Sequence, residues 1–170
     1  MTTLEGLPPV VSPGTRLLIL GSFPGAASLA AQQYYAHPRN QFWAIVSALL
    51  EVDLPSLGYR QRLAALRQRG VGLWDVYASC RREGSLDSAI EDAVPNELVA
   101  LIRRLPVLQL VAHNGAESAR SMRITGALGV PALRLPSTSP ANASWSFQRK
   151  LKAWREAFMQ AGLQTMNTLV

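Results

Sequence analysis

The sequence predicts an α/β domain built on a parallel sheet with helices on both faces. Short, mostly apolar runs of strand length recur at residues 17–20 (LLIL), 71–77 (VGLWDVY), 107–112 (VLQLVA) and 131–135 (PALRL), as strands buried on both faces require. Between them lie segments with apolar residues at helical spacing, and the alternation of strand and helix is the order that winds a parallel sheet. The strand ends supply a third observation. Gly21-Ser22, His113-Asn114 and Pro136-Ser137 bring small or polar groups to what should be the same sheet edge, where open α/β sheets hold ligands.

Taken in order, residues 1–14, with Pro8, Pro9 and Pro13, read as an irregular lead-in. The first strand stops at Gly21-Ser22-Phe23-Pro24-Gly25, where two glycines and a proline permit tight backbone angles. Residues 34–43 (YYAHPRNQFW) then crowd aromatic rings, an imidazole, a guanidinium and a carboxamide into one short segment, a mixture that core packing alone does not call for. Phe42, Ile45, Val46, Leu49 and Leu50 share one helical face, so residues 40–50 form a helix with Asn40 at or near its N-cap. A short basic helix at 63–69 is closed by Gly70. The second strand, 71–77, contains Asp75, a carboxylate that burial obliges to find a partner. Residues 78–92 are polar, with Arg81, Arg82, Ser85 and Asp87, and read as an active-face loop that enters a helix. Further helices are expected at 96–104, at 117–123 and, closing the chain, at 147–161.

At 170 residues and 48% hydrophobic, the chain suits one domain, residues 1–170. Its formal charge of +6 is unevenly spread: residues 1–97 carry 8 basic and 9 acidic side chains, and residues 98–170 carry 9 and 2, a net −1 against +7. Fifteen of the 17 basic residues are arginine, whose forked donors suit phosphate, although an arginine-rich genome gives the same bias. Cys80 is the only cysteine, so one chain builds no disulfide framework, zinc knuckle or cysteine-ligated iron–sulfur cluster. There is no apolar run of spanning length and no basic segment followed by an apolar one at the start. A reduced, cytoplasmic setting is expected.

Common signatures are missing. The Gly21–Gly25 turn matches neither the elbow of a serine hydrolase, nor a phosphate loop, nor a dinucleotide fingerprint. His37 and His113 are too few for a metal site without acidic partners and suit capping or surface roles. Asn114, just past a strand, is placed to read a base edge by paired donor and acceptor, or else simply forms an Asn-Gly turn. Phe23, on a glycine-flanked turn, is a candidate to stack on a planar ligand, whereas Trp43, Trp145 and Trp154 suit packing. Asp75 serves either as a buried base or as a hydrogen-bonded structural group.

Together, LILGSFPG, YYAHPRNQFW, LWDVYASCRREGSLDSAI, HNG and LPSTSPAN resemble the uracil-DNA glycosylase superfamily, most closely its hypoxanthine-DNA (deoxyinosine) glycosylase branch, over residues 16–158. The resemblance implies a three-layer α/β/α sandwich around a four-stranded parallel sheet. It implies a monofunctional glycosylase that hydrolyses the N-glycosidic bond of a flipped, deaminated base, most often hypoxanthine. Uracil or xanthine excision and a lesion-binding module without catalysis are the alternatives.

Damaged DNA is then the partner, and a monomer without cofactor, metal or cluster the working form. The resemblance implies that Asn40 carries the attacking water, and Ser22 stands where the superfamily usually has aspartate or asparagine. Ser22 and Asp75 remain rivals for that water. Gly21, Phe23, Pro24, Gly25, Tyr35, His37, Asp75 and Asn114 are expected to hold the base. Ser137, Thr138, Ser139, Pro140, Asn142, Arg149 and Lys150 are expected to hold the DNA. Leu135 occupies the place before Pro-Ser where uracil-specific members carry a histidine, which favours a deaminated purine. No motif marks the side chain that fills the gap left by the flipped base.

Overall fold

The protein is described by a computed structural model covering residues 2–163. Strand β1 (Thr3–Glu5) is followed by β2 (Leu17–Gly21), whose five residues are all buried, as only the interior of a doubly covered sheet allows. Helices α1 (Ala26–Ala31), α2 (Phe42–Leu50) and α3 (Tyr59–Gln68) lead to strands β3 (Val71–Asp75), β4 (Tyr77–Arg81) and β5 (Glu91–Pro95). The second half runs α4 (Leu98–Arg103), β6 (Leu110–Asn114), α5 (Ala116–Ala119), α6 (Met122–Thr125), β7 (Ala132–Leu135) and α7 (Phe147–Gln160).

Four strands form a parallel sheet in the order β3-β2-β6-β7. On one face Leu17, Ile19, Val71, Leu73, Leu110 and Ala112 pack against Phe42, Ile45 and Leu49 of α2, and Leu151, Trp154 and Phe158 of α7. On the other, Leu18, Leu20 and Val111 meet Leu98, Leu101 and Ile102 of α4. The expected three-layer α/β/α arrangement around a four-stranded parallel sheet is therefore present. Register aligns the strand ends, with Gly21 opposite Asp75 and Asn114 opposite Leu135.

Four local expectations are corrected. The lead-in is not wholly irregular, because β1 pairs with β4 and Val10 exchanges two 2.8 Å backbone bonds with Leu73 at the sheet edge. Strand 71–77 breaks at Val76, so that Tyr77 begins a second sheet. Residues 78–92 hold only a single 3-10 turn at Asp87–Ala89, not the entry to a longer helix: β4 and β5 pair antiparallel, making a three-stranded sheet in the order β1-β4-β5. All five residues of β5 are exposed, so no alternation of apolar and polar side chains advertises it. The helix expected at 117–123 is two separate turns, α5 and α6, and α1 joins the set as a helix that periodicity did not mark.

His113 shows how the two layers are tied. Its ring is fully buried, with Nδ1 and Nε2 each 2.8 Å from a hydroxyl, those of Ser118 and Thr125. Ser118 donates its one hydroxyl proton to Leu20 O at 2.7 Å, so Nδ1 must donate to Ser118 while Nε2 accepts from Thr125. Burial lowers the imidazole pKa to about 4, and the folded ring stays neutral. The unfolded chain takes up a proton below about 6.5 and the folded one does not until about 4, so this contribution is lost as pH falls through that window. The unfolding free energy should fall there by up to ~1.4 kcal/mol per pH unit. Urea titrations across the window should show this slope in the native protein and its loss in His113→Gln.

Candidate active site

The C-terminal ends of the parallel strands open on a cleft of about 710 Å³. Strand β2 delivers the turn from Gly21 to Gly25, β3 delivers Asp75, β6 delivers Asn114, and β7 leads into the loop from Pro136 to Asn142. The segment before α2 adds Tyr35, His37 and Asn40. Every expected base-holding residue lines this one cleft, as do Ser22 and Asn40, and Ser137, Thr138, Ser139, Pro140 and Asn142 of the expected DNA-holding set. Arg149 and Lys150 do not.

Asn40 sits one residue before the N-cap position of α2, and its Oδ1 accepts from Phe42 N–H at 2.9 Å. That bond fixes the carboxamide and leaves Oδ1 a second lone pair. His37 accepts from Arg39 N–H through Nδ1 at 3.1 Å, and its carbonyl accepts from Asn40 N–H at 2.9 Å. Tyr35 adopts a left-handed backbone with φ of 55°, unusual for a non-glycine residue, and its ring stacks on Phe42 at 4.0 Å. Local strain of this kind persists where surrounding packing fixes it.

Ser22 donates its hydroxyl proton to Asp87 Oδ1 at 2.6 Å, a short charge-assisted bond that spans 65 residues of sequence. Burial raises the Asp87 pKa, and the bond from Ser22 works in the opposite direction. Asp75 is 5% exposed and lies against Gly21, and its Oδ2 has no partner among the described residues. Burial, then the nearby Asp87 charge, push the Asp75 carboxyl up to about 7, with Arg82 opposing them. Arg82 is itself buried, donates through Nη2 to Pro24 O, and holds its guanidinium 5.5 Å from the Phe23 ring centre. Phe23 is only 6% exposed, so Arg82 and the turn around it fix the ring as part of the cleft wall.

Two expectations change in detail. The carboxamide of Asn114 already bonds within the protein through both its nitrogen and its oxygen. Nδ2 donates to Thr138 Oγ1 at 3.0 Å and Oδ1 accepts from Thr138 N–H at 3.1 Å, so the carboxamide staples the 136–142 loop to β6. Lys150 is not a surface cation. It is 2% exposed and donates to Gln41 Oε1 at 2.8 Å, and burial lowers its pKa. Gln41 in turn donates from its backbone to Thr138 O at 3.0 Å, so Lys150 supports the cleft wall from behind. Arg149 is exposed and stacks on Trp145 at 3.7 Å, at the cleft margin.

Asp87, Arg82, Leu86 and Trp145 were not singled out from sequence as site residues. For the first two the signal was present: a polar run bearing both charges, on a segment read as facing the site. Their partners, Ser22 and Pro24, lie 65 and 58 positions away. Among the described residues no group of three or more His, Cys, Asp or Glu side chains is placed to hold a metal ion, and no helix is long and apolar enough to cross a membrane.

Residues 8–160 match the sequence model of the Uracil DNA glycosylase superfamily. The chain is 40% identical to a protein named hypoxanthine DNA glycosylase from Methanosarcina barkeri, over 91% of this chain and 97% of that relative. A protein of the same name from Methanosarcina acetivorans is 36% identical over the same shares. The solution NMR structure of a candidate uracil DNA glycosylase from Methanosarcina acetivorans superposes with a TM-score of 0.82 at 34% identity, covering 92% of this chain and 99% of that one. Sequence and fold agree, and the chain belongs to the uracil DNA glycosylase superfamily.

Proposed function

We propose that the protein is a monofunctional DNA glycosylase that draws a deaminated base out of duplex DNA and hydrolyses its N-glycosidic bond, with hypoxanthine in deoxyinosine as the preferred base. The observation that carries this is the meeting of Asn40, the Gly21–Gly25 turn and the buried Asp75 on one cleft, in a chain of this superfamily. The activity named for the two Methanosarcina relatives supports the choice of base. A duplex hides the reacting bond, so the nucleotide must be flipped into the cleft. The second half of the chain, net +7, supplies the charge to hold phosphates.

Cleavage of C1′–N9 leaves positive charge on the sugar and negative charge on the base; a water oxygen ends bonded to C1′, and the proton that the water gives up balances the one the departing base takes up. Asn40 holds that water through the free lone pair of its fixed Oδ1. Asp87, held by Ser22, brings a carboxylate to the end of the cleft where Ser22 offers only a hydroxyl. Asp75 in its neutral form donates to the departing base, and backbone amides of the Gly21–Gly25 turn add donors toward the same charge. No cofactor or metal is required by this chemistry. The only lysines are Lys150 and Lys152, and neither lines the cleft, so no lysine amine is set to attack C1′ and continue to strand cleavage. We take the working form to be a single-domain monomer in the cytoplasm.

Duplexes carrying one deoxyinosine, deoxyuridine or deoxyxanthosine, treated with the protein and then with alkali, should break fastest at deoxyinosine. Asn40→Ala should lose about 100-fold or more in single-turnover rate while still binding lesion DNA. Tight, salt-sensitive binding with no base released would make the protein a lesion-binding module instead. Wild-type turnover in Asn40→Ala, with activity abolished by Ser22→Ala or Asp75→Asn, would assign the water to another residue.

The pH profile gives a separate expectation. The donor form of Asp75 is lost as pH rises, and the ionised form repels the departing base, so excision should slow as pH climbs through about 7. Asp75→Asn, which does not ionise, should flatten that limb. A limb left unaltered by the substitution would remove Asp75 from the reaction.

A further inference from the structure

Flipping a nucleotide leaves a hole in the base stack, and proteins that deform duplexes fill such steps with an apolar side chain. A side chain suited to that task must be large and apolar, exposed before DNA arrives, placed at the cleft mouth, and rigidly backed. The 136–142 loop offers no such group: it consists of proline, serine, threonine, alanine and asparagine, and Thr138 within it is buried. Trp145, on the cleft margin, is partly buried and has Arg149 stacked on its ring at 3.7 Å.

Among the described residues five large apolar side chains are exposed: Leu86, Val94, Val107, Ile124 and Met159. Leu86 is the most exposed, at 58%, and of the five it alone lines the cleft. Exposure of one leucine is ordinary by itself. Its mounting is not. The residue before it, Ser85, accepts from Ala26 N–H through Oγ at 2.9 Å, and the residue after it, Asp87, accepts from Ser22 at 2.6 Å. Arg82, four positions earlier, is bonded to Pro24 O, and the Leu86 carbonyl accepts from Ala89 N–H at 3.1 Å. The loop is thus pinned on both sides of Leu86 to the turn that forms the base-holding wall. An apolar side chain is held out toward solvent beside the place where a base would enter.

Resting on the glycosylase reading above, we infer that Leu86 is the wedge that enters the duplex as the damaged nucleotide leaves it. The gap-filling group then comes from the β4–β5 connection, which lines the same cleft as the 136–142 loop. Ser22–Asp87 gains a second consequence, because the bond that brings a carboxylate to the site also fixes the adjacent wedge.

The test compares single-turnover excision of deoxyinosine from two duplexes, one with cytosine opposite the lesion and one with an abasic analogue opposite it. Leu86→Ala should lose about tenfold more rate on the paired duplex than on the unpaired one, where no partner holds the base in the stack. Leu86→Met should restore most of the difference. A 2-aminopurine beside the lesion should brighten on binding wild type and much less on binding Leu86→Ala, and thermal unfolding of the variant should match wild type. Equal losses on both duplexes would overturn the assignment. So would a pair-dependent loss in Trp145→Ala or Pro140→Ala that Leu86→Ala does not share. If the wild-type protein releases hypoxanthine from neither duplex, the glycosylase reading itself fails and the wedge falls with it.

Discussion

A Cβ at Gly21 would stand 2.5 Å from Asp75 Oδ1, a distance real Cβ contacts do not reach. The Asp75 carboxyl occupies the space that the missing side chain leaves, directly across the register pair at the strand ends. Much of the site follows from that accommodation. With Gly21 beside it, Asp75 stays buried, and burial is the largest cause of its raised pKa. The same two strand ends lead directly into the elements that carry Ser22 and Tyr77, so the turn, the hairpin and the carboxyl are positioned together.

The opposite wall rests on a chain of polar contacts. Asn114 grips both the hydroxyl and the amide of Thr138, Gln41 donates to the Thr138 carbonyl, and Lys150 holds Gln41 from helix α7. Trp154 adds a bond from its indole to Pro136 O at 3.0 Å while its ring packs edge-on against Phe42. A loop of small residues has little apolar surface to hold it in place. Here its order comes instead from the Asn114 and Trp154 side chains, on β6 and α7, and from the backbone amide of Gln41. The cleft thus has two walls fixed by different means, one by backbone register and one by side-chain bonding.

The parallel sheet was legible because its strands are buried on both faces: the run at 17–20 has no polar interruption, and the ends it predicts do converge. Asn40 was legible because a carboxamide beside an imidazole and a guanidinium, just before an amphipathic helix, has little packing use. The second sheet was hidden by the physics that makes it marginal as a sequence signal. Strand β5 has no buried face and β4 pairs with it through shifted register, so neither period 2 nor a continuous apolar run survives. Lys150 misled for a different cause. A lysine in a basic helix reads as a surface cation, and only the fold brings Gln41, 109 positions away, to receive it. Asp87 and Ser22 are likewise a tertiary pair, which no single stretch contains.

Arg82, behind the Phe23 wall of the cleft, carries a charge that is buried and only partly bonded: Nε and Nη1 have no protein partner among the described residues. Its guanidinium sets positive potential behind Phe23 and near two carboxyls, where it opposes the rise in the Asp75 and Asp87 pKa values. Its field is oriented before any ligand arrives, which spares the solvent rearrangement that a mobile surface cation would need. Arginine therefore acts in this chain in two physical regimes, as a hydrated countercharge on the outer surface and as a desolvated fixed electrode within.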